Sequence, residues 1–282
     1  MRYRMLVADI DGTLVDPRLR IPEGVRASVK EAQARGVRVL LATGRIWPSA
    51  RRFYEALGAD PPAILYNGGL VYDFTTGRVL FRDNLPAAHA RTVFSLVREF
   101  PDVQPHVFMG DRMYVGRMNE ITDAYRRKDE LPVEETGDLL AFVEAALGRD
   151  AGAVGKIMVI GPRAPLLAFS ARLSAVDPAV SQVFSEHTYC EILPPGVSKG
   201  RALRLVASAL GVLLAEVIAV GDNFNDLDMI EAAGLGVAMG NAPEALRARA
   251  DFVCPPTEEE GLREVIERFV LRAPARGSCR SP

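Results

Sequence analysis

The sequence predicts an α/β protein in which a Rossmann-like, doubly wound parallel sheet forms the core and an α+β cap domain is inserted into it. Two observations predict the core. Apolar strand segments alternate with amphipathic helical segments at both ends of the chain, and these strands run into acidic or glycine-containing turns. A third observation predicts the insertion, because the middle of the chain has no strand that ends in this way.

The N-terminal part alternates strand and helix signals in a regular order. Short apolar runs between turn residues predict strands, and apolar residues that recur every three to four positions predict helices. The predicted elements are a strand over residues 4–8, a helix over 22–35, a strand over 37–42, a helix over about 48–57 and a strand over 63–66. Parallel strands need crossover connections, so this order predicts a parallel sheet with helices on both faces.

The C-terminal part repeats the same alternation. The predicted elements are a helix over residues 199–210, a strand over 217–220, a short helix that ends near Gly234, a strand over 236–239 and a last helix over about 258–271. We expect these strands to join the same sheet as the N-terminal strands.

The middle of the chain mixes strands and helices without acidic turns. Strand-like segments lie at residues 107–109, 112–115, 156–160 and 180–184, and helical segments lie near 87–100, 136–147 and 165–176. We therefore predict a core formed by residues 1–82 and 188–282, with residues 83–187 inserted as the cap domain.

The composition is typical of an ordinary soluble globular protein. Of the 282 residues, 49% are hydrophobic and 25% are charged, and the formal net charge of −2 indicates neither nucleic acid nor an anionic membrane as a partner. No apolar run reaches the roughly 18 residues that a membrane-spanning helix requires. The cysteines Cys190, Cys254 and Cys279 lack zinc-site spacing and indicate a reducing compartment. We expect a cytoplasmic protein.

The most distinctive motif follows the first predicted strand, where Asp9-Ile10-Asp11-Gly12 ends an apolar run. Side chains two positions apart on a strand point the same way, so Asp9 and Asp11 are expected to lie together. Two adjacent carboxylates repel each other unless a cation or a proton separates them. The motif therefore predicts a metal ion, an acid/base role, or both.

Three further turns follow predicted strands, at residues 43–45, 67–69 and 221–226, and Lys199 begins a helix. In an open parallel sheet, ligands bind outside the carboxyl ends of the strands, so we expect these segments to converge. Together they supply carboxylates, hydroxyl and amide groups, glycines and one ammonium group. This set fits a phosphoryl group bound with Mg²⁺.

Each of these groups has an expected role in phosphoryl transfer. Asp9 and Asp222 are expected to bind Mg²⁺ directly, with the main-chain carbonyl of Asp11 as a third ligand. Asp9 is the expected nucleophile that forms an aspartyl phosphate, and Asp11 is the expected general acid and then general base. The residues expected to bind the phosphoryl group are Thr43, Gly44, Arg45, Asn67 and Lys199.

These motifs resemble those of the haloacid dehalogenase-like phosphatases in both order and spacing. The matching segments are Asp9-x-Asp11-Gly12-Thr13-Leu14, Thr43-Gly44-Arg45, Lys199 in Gly196-Val197-Ser198-Lys199-Gly200, and Gly221-Asp222-x-x-Asn225-Asp226. The turn at Asn67 and the large insertion after the third strand resemble the Cof-type branch, which has a type IIB cap. This resemblance implies a Mg²⁺-dependent phosphatase of small phosphorylated metabolites, such as sugar phosphates or phosphorylated cofactors. It also implies that Asn225 supports phosphate binding and that Asp226 belongs to the metal site.

Three other functions are compatible with the same residues. A phosphomutase uses the same aspartyl phosphate but returns the phosphoryl group to a sugar. A phospho-receiver module keeps its aspartyl phosphate without turnover, which the predicted acid/base Asp11 disfavours. A binding protein that has lost its activity is disfavoured because every motif carboxylate is present.

Overall fold

The computed structural model of the chain describes residues 2–272, so Cys279 lies outside the described residues. Within this part the strands are β1 (Met5–Ala8), β2 (Arg38–Leu41), β3 (Ala63–Leu65), β4 (Leu70–Asp73), β5 (Arg78–Arg82), β6 (Gln104–Met109), β7 (Arg112–Val115), β8 (Val133–Glu135), β9 (Lys156–Ile160), β10 (Ser181–Glu186), β11 (Tyr189–Leu193), β12 (Val217–Gly221), β13 (Leu235–Ala238) and β14 (Phe252–Val253). The α-helices are α1 (Glu23–Ala34), α2 (Trp47–Leu57), α3 (Ala87–Val97), α4 (Glu120–Asp129), α5 (Leu139–Arg149), α6 (Arg163–Val176), α7 (Lys199–Ala209), α8 (Leu227–Ala232), α9 (Glu244–Arg247) and α10 (Gly261–Ile266).

The core sheet has five parallel strands in the order β14–β13–β12–β1–β2. A parallel bridge between Ala42 and Ile64 connects β3 to the β2 edge. All the strands that precede the predicted functional turns therefore end at the same edge. The predicted α/β fold with a parallel, doubly wound sheet is confirmed.

Successive side chains of β1 are buried on opposite faces of this sheet, as expected for a sheet with helices on both faces. Leu6 and Ala8 belong to a cluster that includes residues of α1 and α10. Met5 and Val7 belong to a second cluster, with residues of α7 and α8. The sheet is thus covered on both sides, and only its strand ends are open to a ligand.

A hairpin of β4 and β5 extends β3 into a three-stranded antiparallel sheet. These two strands were not predicted from the sequence. Each carries only a three-residue apolar run, Leu70-Val71-Tyr72 and Val79-Leu80-Phe81, and β5 is exposed along most of its length, so its apolar residues do not mark a buried strand.

The middle of the chain forms a mixed six-stranded sheet in the order β10–β11–β9–β6–β7–β8, antiparallel except for β7 and β8. Helices α3, α5 and α6 cover one face, where Ile157 and Val159 of β9 are buried. Met158 and Ile160, on the opposite face, are buried in the same cluster as residues of the core. This sheet therefore packs one face on its own helices and turns the other toward the core.

The division into residues 83–187 and a flanking core stays a prediction. Hydrogen bonding nevertheless pairs β11 with β9 and β10, although the predicted boundary gives this strand to the core. The chain leaves the six-stranded sheet only after Leu193. Within residues 2–272, no helix has the length and apolar character that crossing a membrane would require.

Candidate active site

Asp9 lies directly after β1, and its buried carboxylate forms an ion pair with the ammonium group of Lys199. Lys199, the first residue of α7, is fully buried, and its Nζ lies 2.9 Å from Asp9 Oδ1. The same ammonium group donates to Asp226 Oδ1 at 2.6 Å. Burial opposes the charge of Lys199, but the carboxylates of Asp226 and Asp9 outweigh it and raise the pKa of the ammonium group. Lys199 is therefore a fixed cation between two carboxylates.

Asp226 organises the turn that follows β12. Its second oxygen, Oδ2, accepts hydrogen bonds from the main-chain N–H groups of Asp222 (2.9 Å) and Asn223 (3.0 Å). Asp226 is fully buried, and both of its oxygens already have partners. Its contacts thus hold the loop that presents Asp222.

Asp222 faces Asp9 across the ends of β12 and β1. The hydroxyl group of Thr13 donates to Asp222 Oδ1 at 2.9 Å, and the Asn241 amide lies 3.4 Å from Oδ2. Thr13 follows Asp11 and Gly12 in the first motif, so the first and last motifs are in direct contact. This contact was not predicted from the sequence.

Oxygens of Asp9, Asp222 and Asp226 all lie within 4.8 Å of one another. Burial, together with the charge of the neighbouring carboxylates, raises the pKa of Asp9 well above its usual range and that of Asp222 to about 7. Three carboxylates face one ammonium group here, so the cluster has surplus negative charge. Oxygen donors with surplus negative charge fit Mg²⁺.

Asp11 points away from this cluster and pairs with Arg45. The guanidinium donates to both Asp11 oxygens, from Nε at 2.7 Å and from Nη2 at 2.6 Å. Burial opposes ionisation, but the hydrogen bonds and charge of Arg45 hold the pKa of Asp11 below its usual range. Arg45 Nη1 also donates to Ser49 and to Asp129 of α4, at 2.6 and 2.9 Å. Four of the five N–H groups of Arg45 are therefore engaged within the protein.

The other predicted phosphate-binding residues lie around the same edge of the sheet. The Thr43 hydroxyl oxygen accepts a hydrogen bond from the Arg45 N–H at 3.1 Å, and Thr43 is buried. The Asn225 amide donates to Asn67 Oδ1 at 2.9 Å, which links the turns after β12 and β3. Asn67 has a left-handed backbone with φ 53°. The predicted site residues thus lie on adjoining loops at one edge of the sheet, apart from Lys199 at the start of α7. Asn67 and Lys199 are buried beneath the surface of the cavity.

A cavity of about 250 Å³ opens above these loops. Asp9, Asp11, Asp222 and residues 43–45 line it from the core. The opposite wall consists of side chains from the six-stranded sheet and α4, namely Tyr125, Lys128, Asp129, Met158, Ser185, Glu186, Tyr189 and Glu191. The cavity is thus enclosed between the motif loops and residues 83–193, which are called the middle segment below.

Three side chains at this junction were missed by the sequence analysis. Asp129 pairs with Arg45, and a buried pair of Lys156 and Glu191 reaches the loops after β2 and β3. Lysine is rare in this chain, and Lys156 begins an apolar strand that is entirely buried. A lysine in that context was a usable signal of a buried charge.

A family model of the haloacid dehalogenase-like hydrolases matches residues 6–266. Pyridoxal phosphate phosphatase YbhA of Escherichia coli (strain K12) is 30% identical over 274 residues, which cover 96% of this chain and 100% of that protein. The 5-amino-6-(5-phospho-D-ribitylamino)uracil phosphatase YcsE of Bacillus subtilis (strain 168) is 28% identical over 269 residues, which cover 95% of this chain and 96% of that protein. HMP-PP phosphatase of Serratia proteamaculans (strain 568) is 32% identical over 254 residues, which cover 87% of each chain.

Solved structures agree with these sequence relatives. A haloacid dehalogenase-like hydrolase from Bacteroides thetaiotaomicron superimposes with a TM-score of 0.82 at 26% identity, covering 94% of this chain and 99% of that one. The match therefore extends over the core and the middle segment alike. This chain belongs to the haloacid dehalogenase-like hydrolases, in their Cof-type branch, and is a hydrolase that acts on phosphoric monoesters.

Proposed function

We propose that this enzyme hydrolyses the phosphomonoester of a small metabolite in a Mg²⁺-dependent reaction, with Asp9 as the nucleophile. The observation that supports this most directly is the cluster of Asp9, Asp222 and Asp226 around the Lys199 ammonium at the cavity. Asp9 and Asp222 would hold Mg²⁺, together with the main-chain carbonyl of Asp11. When bound, Mg²⁺ would reduce the repulsion between the carboxylate and the anionic phosphoryl group.

The proposed reaction has two displacements at phosphorus. In the first, an Asp9 oxygen bonds to phosphorus, the bond from phosphorus to the leaving oxygen breaks, and Asp11 donates a proton to that oxygen. In the second, water attacks the aspartyl phosphate and gives its proton to Asp11. The bond between phosphorus and Asp9 then breaks and releases inorganic phosphate. Lys199, Thr43 and Asn67, with the N–H groups of their loops, would stabilise the charge on the phosphoryl oxygens.

The acid/base role of Asp11 requires one change from the observed arrangement. Both Asp11 oxygens accept hydrogen bonds from Arg45, and an Arg partner opposes protonation. Asp11 would therefore turn at least one oxygen from Arg45 toward the leaving group during the reaction. Arg45 retains one N–H, so we assign it mainly to orienting Asp11 and only secondarily to the phosphate.

We further propose that the middle segment, which ends at Leu193, acts as a cap that selects the leaving group. Tyr125 and Tyr189 line its side of the cavity, with their rings in an edge-to-face pair 5.5 Å apart. Aromatic walls favour planar ligands. The names of three relatives also refer to pyridoxal phosphate, a phosphoribitylamino uracil and HMP-PP. We therefore favour a phosphorylated cofactor or its precursor over a simple sugar phosphate.

The test is a phosphate-release screen across pyridoxal phosphate, flavin mononucleotide, nucleotides and sugar phosphates, with and without Mg²⁺. We expect release that requires Mg²⁺ and is fastest with a ring-bearing substrate. The Asp9→Asn variant should fold normally and lose at least about 10³-fold in kcat, because an amide is not a nucleophile for phosphorus. Near-normal turnover by folded D9N would refute the nucleophile assignment. An isomeric sugar phosphate as product would indicate a mutase instead, and an aspartyl phosphate that lasts for hours would indicate a receiver.

A further inference from the structure

We propose that Lys156 and Glu191, both from the six-stranded sheet, are positioning residues that hold the phosphate-binding loops after β2 and β3. This inference rests on the proposed function. It adds two side chains outside the motif loops to the residues on which phosphate binding depends.

Lys156 reaches the core from the first position of β9. It is 1% exposed, and its Nζ donates to Gly44 O at 2.9 Å and to Glu191 Oε2 at 2.6 Å. The ammonium group also lies over the rings of Phe108 (4.7 Å) and Tyr66 (5.6 Å). The side chain thus spans from the middle segment to the carbonyl group that immediately follows Thr43.

Glu191 connects the same pair to the next loop. Its Oε2 also accepts a hydrogen bond from the Asn67 amide at 3.1 Å, and Asn67 Oδ1 accepts from Asn225 at 2.9 Å. A continuous chain of four side chains, Lys156–Glu191–Asn67–Asn225, therefore runs from β9 to the turn after β12. It fixes both ends of the Asn67 amide, so Asn67 can present its remaining N–H in only one direction.

Gly44 shows how tightly this chain is packed against the loop after β2. A Cβ built on Gly44 would lie 3.0 Å from Asn67 Nδ2 and 3.3 Å from Glu191 Oε1. No room is therefore left for a side chain between Gly44 and these two residues. A displacement of Glu191 would be passed on to Gly44 and Asn67 together.

Stability alone does not account for this pair. Desolvation of two buried charges largely cancels their attraction, and apolar residues of similar size often serve as well or better. Both buried lysines among the described residues, Lys156 and Lys199, lie beneath the cavity, whereas Lys30 on α1 and Lys128 on α4 are exposed. The buried charges are concentrated where the loops need orientation.

The experiment compares the wild-type chain with Lys156→Met and with the double variant K156M/E191L. The single variant leaves the Glu191 charge buried without its ammonium partner and risks misfolding. The double variant leaves no lone buried charge, and only the Gly44 carbonyl and the Asn67 amide lose these partners, so it should fold with a higher melting temperature than K156M. We expect kcat/KM of the double variant to fall by about 100-fold, mainly through kcat, as for a small misplacement of reacting groups. Inorganic phosphate, titrated calorimetrically in the presence of Mg²⁺, should bind at least about tenfold more weakly.

Asp177→Asn is the matched control. Asp177 is buried in the same segment and pairs with His89 at 2.6 Å, but both lie with α3 and α6 on the face away from the core. D177N should change neither phosphate affinity nor kcat/KM beyond about twofold. A folded double variant with wild-type kcat/KM and phosphate affinity would overturn the proposal, as would an equal loss in D177N. If the wild type binds phosphate but hydrolyses nothing, the proposed function fails, and the phosphate titration still tests the positioning role.

Discussion

Gly12 shows how one residue determines the place of a carboxylate in the site. Its φ is +74°, and a Cβ there would lie 2.2 Å from Asp222 Oδ2. The Gly12 carbonyl accepts hydrogen bonds from the Asn241 amide (2.9 Å) and from the Thr257 hydroxyl, which hold the loop after β1 in place. The glycine thus permits both the left-handed turn and the close approach of Asp222.

The Gly12→Ala variant should therefore impair metal binding specifically. A left-handed alanine costs about 1–2 kcal/mol in stability. The added methyl group would also displace the Asp222 carboxylate, which lies 2.2 Å from the Cβ position. We expect the Mg²⁺ concentration for half-maximal activity to rise at least about tenfold. The control is Gly58→Ala, since Gly58 has φ +69° but nothing within 4 Å of its Cβ position. G58A should lose similar stability with an unchanged Mg²⁺ requirement, and equal Mg²⁺ requirements in the two variants would contradict the argument.

The motif residues were predictable because they are close in sequence to strand ends, and the contacts between them were not. Asp9, Asp222 and Lys199 follow from strand and helix boundaries that the apolar pattern marks. The pairing of Arg45 with Asp129 depends on where α4 packs, 84 residues farther along the chain. A single sequence carries no local signal for a contact of that separation.

The secondary-structure elements were likewise predictable where the local sequence marks them and not where distant packing forms them. Strands with continuous apolar runs, such as β1 and β12, were predicted within one or two residues. Helix α4 was missed because it is mostly charged and buries only Thr122, Tyr125 and Asp129. Strand β8 has three residues, and β11 has a glutamate between apolar neighbours, so neither resembles an isolated strand. Tertiary packing, rather than local preference, forms these elements.

Strand β6 contains a buried histidine that should make stability depend on pH. His106 is fully buried; its Nδ1 lies 3.1 Å from the Gln104 carbonyl and its Nε2 2.9 Å from the Thr122 hydroxyl. A carbonyl only accepts, so Nδ1 donates to it and Nε2 accepts from Thr122 in the neutral ring. Burial lowers the pKa of His106 to about 4.

Because the unfolded chain binds this proton near the ordinary pKa of about 6.5, protonation favours unfolding below that pH. Above about pH 6.5, titration of His106 should not change the free energy of unfolding. That free energy should then fall by up to about 3 kcal/mol as the pH decreases to 4. Chemical denaturation between pH 4 and 8 measures this. The His106→Asn variant, which retains a donor for Gln104, should show a shallower decline over the same window, and an identical slope would exclude His106 as the cause.

At the scale of the whole molecule, the motif loops and the middle segment meet through a small number of polar contacts. Arg45 pairs with Asp129, Lys156 donates to Gly44 O, and Asn223 donates to Ser185 O at 3.1 Å. These contacts therefore connect the motif loops directly to the opposite wall of the cavity.

The Asp129→Asn variant tests whether the buried Arg45–Asp129 pair holds the cavity closed, and the exposed Arg52–Glu130 pair serves as the comparison. Asp129 is buried beside Arg45, whereas Glu130 pairs with Arg52 of the core while its side chain is 65% exposed. A buried hydrogen bond to a charged group contributes about 1.5–3 kcal/mol, and an exposed ion pair contributes about 0–1 kcal/mol. If the enzyme binds substrate in the closed arrangement, lowering the closed fraction raises the apparent dissociation constant in proportion. D129N should then raise KM several-fold with kcat changed by less than about threefold, and Glu130→Gln should change KM by less than about twofold. Steady-state kinetics on the best substrate of the screen measures both constants. Equal KM values for the two variants would contradict a role of the buried pair in holding the cavity closed.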